Sequence, residues 1–386
     1  MDISSYKRLQ QNYSSFEVSG FDNRYLSFEH LQTHLNKNVF PYYSHQSIGR
    51  SIQKRPIYEI NIGHGNTKIL IWSQMHGNES TTTKAILDLL NYCRLNAENA
   101  EVMDMLSQCT IKIIPMLNPD GATQYTRLNA NSKDLNRDAI DQSQSETQAF
   151  FQVFKQFKPD YCFNMHGQRT MYSAGQAEYP ATLSFLSPSV NANRSLNTVR
   201  KTAMQLILSA FETLQAFIPN QIGRYDDTYN ANCFGDHIQS QGIPTVLVEA
   251  GHYPGDYNRN KTRQLVFMCL HKMLSLISQN GLSSIDYNKY SEIPMNHKLF
   301  FDCIITNALQ TYPDAIGLTY SEVLEDDKIV FLPIIKIIDR LDDFFAFRYI
   351  DAQHQNILAG SRYQLKVGEQ LDKIRVGKEI IDLKFS

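Results

Sequence analysis

Apolar and polar positions along the chain follow two periods. "PIYEINIG" (56–63), "KILIWSQ" (68–74), "CTIKIIPMLN" (109–118), "DYCFNMHG" (160–167) and "GIPTVLVEAG" (242–251) read as strands. "KILIWSQ" and "CTIKIIPMLN" are apolar enough to be buried on both faces. Between these runs, "STTTKAILDLLNYCRL" (80–95), "SETQAFFQVFKQFKP" (145–159), "NRSLNTVRKTAMQLILSAFETL" (193–214) and "NRNKTRQLVFMCLHKMLSLIS" (258–278) carry a helical period. A serine or threonine is available to cap the first of these, and Ser145 with Gln148 is spaced as a capping pair for the second. "IGHGNTK" (62–68) reads as a hairpin turn, and residues 1–55 as short helices and loops. Strands alternating with helices predict an α/β layered domain. After residue 282 the pattern changes. "NGLSSIDYNKYSEIP" (280–294) reads as a linker, and "HKLFFDCII", "DKIVFLPIIKII", "DFFAFRYI" and "YQLKVG" follow as strands. The expected division is a domain over 1–282 and a small β-rich domain over 285–386.

Composition narrows the function classes. The 386 residues are 42% hydrophobic, enough for a sizeable core, and the formal net charge is −2. That balance offers no basic footprint for nucleic acid and no polybasic membrane patch. The six cysteines are scattered with no Cys-x-x-Cys pair, which argues against a disulfide framework or a cysteine zinc knuckle and fits thiols in a reducing compartment. "MDISSYKRLQQNYSSF" lacks the charged start and apolar core of a signal peptide, and no uncharged apolar stretch approaches 18 residues, so a cytoplasmic location is expected.

Four of the apolar strands end in polar residues: "QMHGNE", "MLNPDG", "NMHGQ" and "VEAGHY". In open α/β sheets ligands bind outside the carboxyl ends of the strands, so one shared site is expected. His76 and Glu79 stand at i, i+3, which places them on one face where the chain enters a helical turn. Catalytic zinc takes three protein ligands, and two histidines with a glutamate are one such set. His166 ends another central strand and supplies the third. Glu249 ends a further strand as a candidate base, and Arg127 and Arg137 follow "NPDG" as candidate oxyanion donors. The chain contains a control: "HGNT" (64–67) repeats the tripeptide with Thr67 in place of the glutamate, and reads only as a turn.

The ordered segments "HGNE" (76–79), "NPDG" (118–121), "TRLNANSKDLNRD" (126–138), "NMHG" (164–167) and "VEAGHY" (248–253) resemble the zinc carboxypeptidases. The resemblance covers roughly 45–275 and includes an entry strand at "SIGRSIQKRPIYEINIG". It implies a three-layer α/β/α domain with a mixed sheet, and one Zn2+ per chain. It also implies cleavage of a peptide bond next to a free carboxylate. His76, Glu79 and His166 match the zinc ligands, and Glu249 the general base and acid that serves the metal-activated water. Arg127 matches the arginine that polarises the scissile carbonyl. Asn136 and Arg137 match the pair that grips a terminal carboxylate, where an arginine fork suits a bidentate contact. Tyr225 and Tyr229 both match the family's mobile tyrosine, and Tyr229 is grouped with the substrate-binding residues.

"HGNE" and "DLNR" are also similar to the aspartoacylases and succinylglutamate desuccinylases, which cleave N-acyl amino acids and carry a β-rich tail. "LNPDG" and "EAGHY" are peptidase-like. A third reading, a non-catalytic binding module on this scaffold, is opposed by the presence of every matched position. The substrate is therefore expected to be a short peptide, with an acyl-amino acid as the alternative and recycled cell-wall peptides as one source. Residues 225–240 are the expected pocket floor, where Asp226, Asp227 and Asp236 would suit a basic side chain and Phe234 an apolar one.

Overall fold

The computed structural model describes residues 2–360 and 362–385. They form two compact units, Met1–Gln168 with Ala181–Asn296, and Arg169–Pro180 with His297–Ser386.

The first unit is built on one eight-stranded sheet. Its strands are β1 (Ser44–Arg50), β2 (Pro56–Gly63), β3 (Thr67–Ser73), β4 (Cys109–Ile114), β5 (Tyr161–Gly167), β7 (Leu183–Leu186), β8 (Ile222–Arg224) and β9 (Thr245–Ala250); β6 (Tyr172–Ala174) belongs to the second unit. The order is β1-β2-β4-β3-β5-β9-β7-β8. Strands β4, β3, β5 and β9 run parallel, whereas β1, β2 and β7 pair antiparallel. The helices are α1 (Ile3–Gln11), α2 (Phe28–His34), α3 (Thr81–Leu95), α4 (Ala100–Gln108), α5 (Pro119–Gln124), α6 (Ser145–Phe157), α7 (Thr198–Leu214), α8 (Phe234–Ser240) and α9 (Asn260–Ser278). Strand alternation divides the core in two. Ile69, Ile71, Phe163, Met165, Val246 and Val248 face α3, α7 and α9. Leu70, Trp72, Ile114 and Cys162 face the opposite way, onto Phe150 of α6 and Phe234 of α8. This is the layered α/β domain expected from the strand and helix periods, with the mixed sheet that the resemblance implies.

A buried ion pair ties the N-terminal segment to this core. Arg263 of α9 donates from Nε and Nη2 to both carboxylate oxygens of Asp88 on α3, at 2.7 and 2.6 Å. The Val18 amide donates to Asp88 at 2.8 Å, and the Tyr13 hydroxyl donates to it as well. Asp88 and Arg263 are both fully buried. Removing the acid alone leaves an uncompensated guanidinium, so Asp88→Ala is expected to destabilise the fold by about 3–5 kcal/mol. Urea denaturation measures this, and a loss under about 1 kcal/mol would contradict it.

Several local expectations are revised. "HGNT" is not a hairpin turn, because β4 lies between β2 and β3 and pairs with each. Ser145 does not cap α6. The Asp138 carboxylate holds the entry instead, accepting from the Ser143 and Gln144 amides at 3.0 Å each. At α3, Ser80 occupies the N-cap position, but its hydroxyl donates to the Arg24 carbonyl at 2.5 Å. The break read near 282 falls inside the first unit. Gln205 of α7 donates there to the carbonyls of Leu282 and Ile285 at 3.0 and 2.9 Å, and Tyr290 and Ile293 join the core.

The second unit contains a four-stranded sheet ordered Lys328–Asp339, Ala315–Glu325, Cys303–Thr306, Tyr349–Asp351. A three-stranded sheet of Ile357–Leu358, Lys373–Val376 and Glu379–Asp382 accompanies it. Ile305, Ile316, Leu318, Ile335 and Ile374 fill its core. "YQLKVG" is irregular rather than a strand; Tyr363 and Val367 are exposed, and of the three alternating residues Leu365 alone packs on the core.

Candidate active site

Strands β3, β5 and β9 lie side by side with their carboxyl ends at one edge. His76 and Glu79 follow β3 in a single turn, closed by the Glu79 amide donating to the His76 carbonyl at 3.1 Å. The turn is held from below by "NPDG". Gly77 and Gly121 touch backbone to backbone, and a Cβ on Gly77 would come within 1.9 Å of the Gly121 carbonyl carbon. The two motifs therefore need glycine where they meet. Asn118 Oδ1 accepts from the Gly121 amide at 2.9 Å, and Asp120 binds Ser51 and Arg55 at 2.7 and 2.9 Å.

His166 ends β5 beside this turn, and three donor groups converge. Glu79 Oε1 lies 2.8 Å from His76 Nδ1, Glu79 Oε2 lies 2.9 Å from His166 Nδ1, and the two Nδ1 atoms are 3.2 Å apart. All three residues are buried or nearly so. A tetrahedral zinc with bonds of about 2.0–2.1 Å keeps its ligand atoms about 3.3 Å apart, so the donor set suits that ion in element and spacing. The Gly167 amide also donates to Glu79 Oε2, at 3.0 Å.

Asp134 is a site residue that the motif reading quoted in "DLNR" without giving it a role. Its Oδ1 lies 3.0 Å from His76 Nε2, on the far side of the ring from the donor cluster. Its Oδ2 accepts from Arg127 Nη2 and Nε at 3.0 and 3.2 Å. A carboxylate on the outer nitrogen fixes the tautomer that leaves Nδ1 for a metal. The signal available in sequence was an acid inside an already matched motif. His166 has no such backing, since its Nε2 is buried without a hydrogen-bond partner among the described residues. Asp134→Asn is expected to weaken zinc binding by about 10–100-fold, measured by competition with a chelating dye; unchanged affinity would remove Asp134 from this role.

The ionisable groups of the site shift one another. Burial works against a charged His76 ring, but the Glu79 carboxylate and the hydrogen bonds of Asp134 and Glu79 outweigh it and raise its pKa to about 9. Burial also lowers His166, opposed by Glu79. Burial opposes the Glu79 charge too, yet the two histidines hold its carboxyl well below the usual range. Glu249 is the register partner of His166 on β9. Burial and the Glu79 charge push its carboxyl well above the usual range, and its Oε2 is shielded without a partner among the described residues.

The other sequence candidates separate. Arg127 reaches the cluster, with Nη1 3.4 Å from Glu79 Oε1. Arg137 is exposed; its Nη1 donates to the Asn136 carbonyl at 2.7 Å and contacts Cys233 Sγ at 3.0 Å. Asn136 braces the start of α8, its Oδ1 accepting from the Phe234 amide at 2.9 Å. Tyr225 donates to Gln168 Oε1 at 2.7 Å, just beyond His166. Tyr229 lies half-buried in the irregular segment 225–233, with no hydrogen bond to the cluster among the described residues. The acids suggested for a basic side chain are engaged elsewhere. Asp227 pairs with Arg200 and with Arg194 (3.0 Å), Asp226 with Arg194 (3.5 Å), and Asp236 accepts from the Ser189 and Asn230 amides at 2.9 and 3.3 Å.

The family model described as Zinc carboxypeptidase matches residues 33–138. Over that stretch the chain is similar to the zinc carboxypeptidases. The matched span holds His76, Glu79, Arg127, Asp134, Asn136 and Arg137, while His166 and Glu249 reach the site from outside it. Carboxypeptidase D of Anas platyrhynchos is 28% identical over 177 residues, 39% of this chain and 13% of that protein. Gamma-D-glutamyl-L-diamino acid endopeptidase 1 of Lysinibacillus sphaericus is 35% identical over 91 residues, 22% of this chain and 23% of that protein. The chain thus spans only a small part of the curated relatives it matches. Among solved structures, a metallo-carboxypeptidase from Burkholderia cenocepacia superposes with a TM-score of 0.54 at 19% identity, covering 66% of this chain and 70% of that one. Bovine thrombin-activatable fibrinolysis inhibitor, in complex with tick carboxypeptidase inhibitor, gives 0.56 at 15% identity over 68% of this chain and 100% of that one. These likenesses show the carboxypeptidase fold. No helix among the described residues is long and apolar enough to cross a membrane.

Proposed function

We propose that the first unit is a zinc-dependent hydrolase that cleaves a peptide bond next to a free carboxylate. One observation carries the reading: His76, Glu79 and His166 converge at the ends of adjacent parallel strands, with Glu249 as the neighbour of His166 on the next strand. His76 Nδ1, His166 Nδ1 and the Glu79 carboxylate hold one zinc per chain. Zinc, when bound, supplies the Lewis acidity that polarises the scissile carbonyl and activates water.

The chain's own residues do the rest. Glu249 takes the proton of the attacking water on its carboxylate and returns it to the leaving nitrogen. Burial raises its pKa, so the carboxyl holds the transferred proton more readily than an exposed glutamate would. Arg127 donates to the oxygen on which negative charge develops. Arg137 binds the substrate's terminal carboxylate with its guanidinium fork, on a turn braced by Asn136. Tyr229, in the irregular segment before α8, is the candidate for the tyrosine that contacts the bound peptide. Five buried thiols, with no disulfide among the described residues, support a reducing, cytoplasmic setting.

A panel of short peptides with free and amidated C-termini, with and without chelator, tests the reading. The expected result is chelator-sensitive cleavage of free C-termini, with Arg137→Ala weakening those substrates by about 10²-fold and amidated ones far less. Turnover of N-acyl aspartate or N-succinyl glutamate alone would favour a deacylase, the reading that the matched family disfavours.

A further inference from the structure

The carboxyl ends of β5 and β9 are joined by more than their own ladder. His166 and Glu249 are register partners, and Gly167 with Ala250 is the last pair. The Gln168 amide then donates to the Ala250 carbonyl at 3.0 Å. Arg259 bridges the two chains at this point. Its Nη1 donates to the Ala250 carbonyl at 2.6 Å, and its Nη2 donates to the Gln168 carbonyl at 2.9 Å. One guanidinium thus spans the exits of both strands, next to Glu249 on one side and just past His166 on the other. Its planar fork fixes the separation of the two oxygens, which a single ammonium on a flexible stem does not.

The placement is demanding. Arg259 is fully buried. Its backbone is left-handed (φ 64°, ψ 24°) at the N-cap of α9. Non-glycine residues adopt that conformation rarely, and strain of this kind gathers at functional sites. The surroundings hold the turn in place. The Asp256 carboxylate accepts from the Asn260 and Lys261 amides at 3.0 and 2.7 Å, which fixes the start of the helix. Thr262 Oγ1 donates to the Gly251 carbonyl at 3.0 Å. Leu265, Val266 and Phe267 seat the helix in the core. The start of α9 therefore grips the carbonyls of Gln168, Ala250 and Gly251, and a 19-residue helix sets where β9 ends.

Glu249 is the group that depends on this. The three donor residues brace one another, since both histidines meet Glu79 and the Gly167 amide donates to it. Glu249 Oε2 has no hydrogen-bond partner among the described residues, so the direction of its carboxyl follows from its backbone. We propose that Arg259 is a positioning residue for Glu249: it holds the end of β9 so that the carboxylate meets the attacking water in line. This rests on the hydrolase reading above.

A double-mutant cycle on the zinc-loaded full chain tests it, with Arg259→Lys, Glu249→Gln and the pair assayed on peptides with free C-termini. Lysine keeps the charge and loses the fork. Arg259→Lys alone is expected to lower kcat by about 10–100-fold. Zinc content and KM should stay unchanged, because the metal ligands and Arg137 are held by other segments. In the Glu249→Gln background the same change should cost less than about twofold, since a residue acting through Glu249 then has nothing to position. An unchanged kcat, or equal losses in both backgrounds, overturns the proposal. Thermal unfolding is followed for each protein. Arg259→Gly, which relaxes the left-handed backbone, is the second variant and should show the same pattern. If neither variant folds, the positioning role is overturned in favour of a structural one. A wild type that cleaves only acyl-amino acids removes the peptidase reading, and the cycle run on those substrates still decides the role of Arg259. A wild type that hydrolyses neither class removes the hydrolase reading and the proposal with it.

Discussion

Replacing Glu249 with glutamine is expected to leave the zinc content unchanged and to lower kcat/KM by about 10²–10⁴-fold. The substitution preserves shape on β9 and removes only the proton acceptor, since Glu249 is outside the converging donor set. Metal analysis and a peptide assay on the same preparation separate the two effects. Retained turnover would take Glu249 out of the mechanism. The wild-type pH profile carries the same information. Burial and the Glu79 charge raise the Glu249 pKa, so the acid limb of kcat/KM should lie above the ordinary glutamate value of about 4.3. Below that limb the carboxyl is protonated and cannot accept the water's proton, so the rate falls as pH falls. The residual activity of Glu249→Gln should lack that limb.

His166→Ala is expected to cost the metal itself. It removes one of three donors that stand 2.8–3.2 Å apart and leaves a gap beside Glu79. Zinc affinity should drop by well over about 100-fold, beyond what is typical of an outer-shell partner. Equilibrium dialysis measures this, and unchanged zinc content would point to another ligand. The fold should survive, because β5 is anchored by Phe163 and Met165 in one core layer and Cys162 in the other. Thermal unfolding gives a second readout. Chelator should lower the wild-type Tm, since a metal that binds only the folded state stabilises it by mass action, and should leave the variant's Tm unmoved.

Much of the fold was legible because strand runs such as "KILIWSQ" and "DYCFNMHG" are short, apolar and set between long helical periods. What escaped was non-local. "IGHGNTK" has the composition of a hairpin, yet β4 comes from residues 109–114 to pair between the two strands it joins. Helix α6 starts without a side-chain cap, because Ser145 is already its first helical residue and the Asp138 carboxylate holds the two amides before it. "YQLKVG" alternates correctly but sets only Leu365 against the core.

The residues proposed to carry the chemistry were legible in the sequence. His76, Glu79, His166, Glu249 and the arginines are residue types with specific valence and charge, and their order at strand ends follows from apolar runs that fold into neighbouring parallel strands. Glu79 was the discriminating residue, since "HGNT" lacks it and takes no part in the donor set. Tertiary structure alone decided how those residues are held and what surrounds them. Asp134 behind His76, the contact of Gly77 with Gly121, the engagement of Asp226, Asp227 and Asp236, and the fork of Arg259 across the ends of β5 and β9 all depend on pairings between distant segments. Chain periodicity records which face a side chain takes. It does not record which partner meets it there.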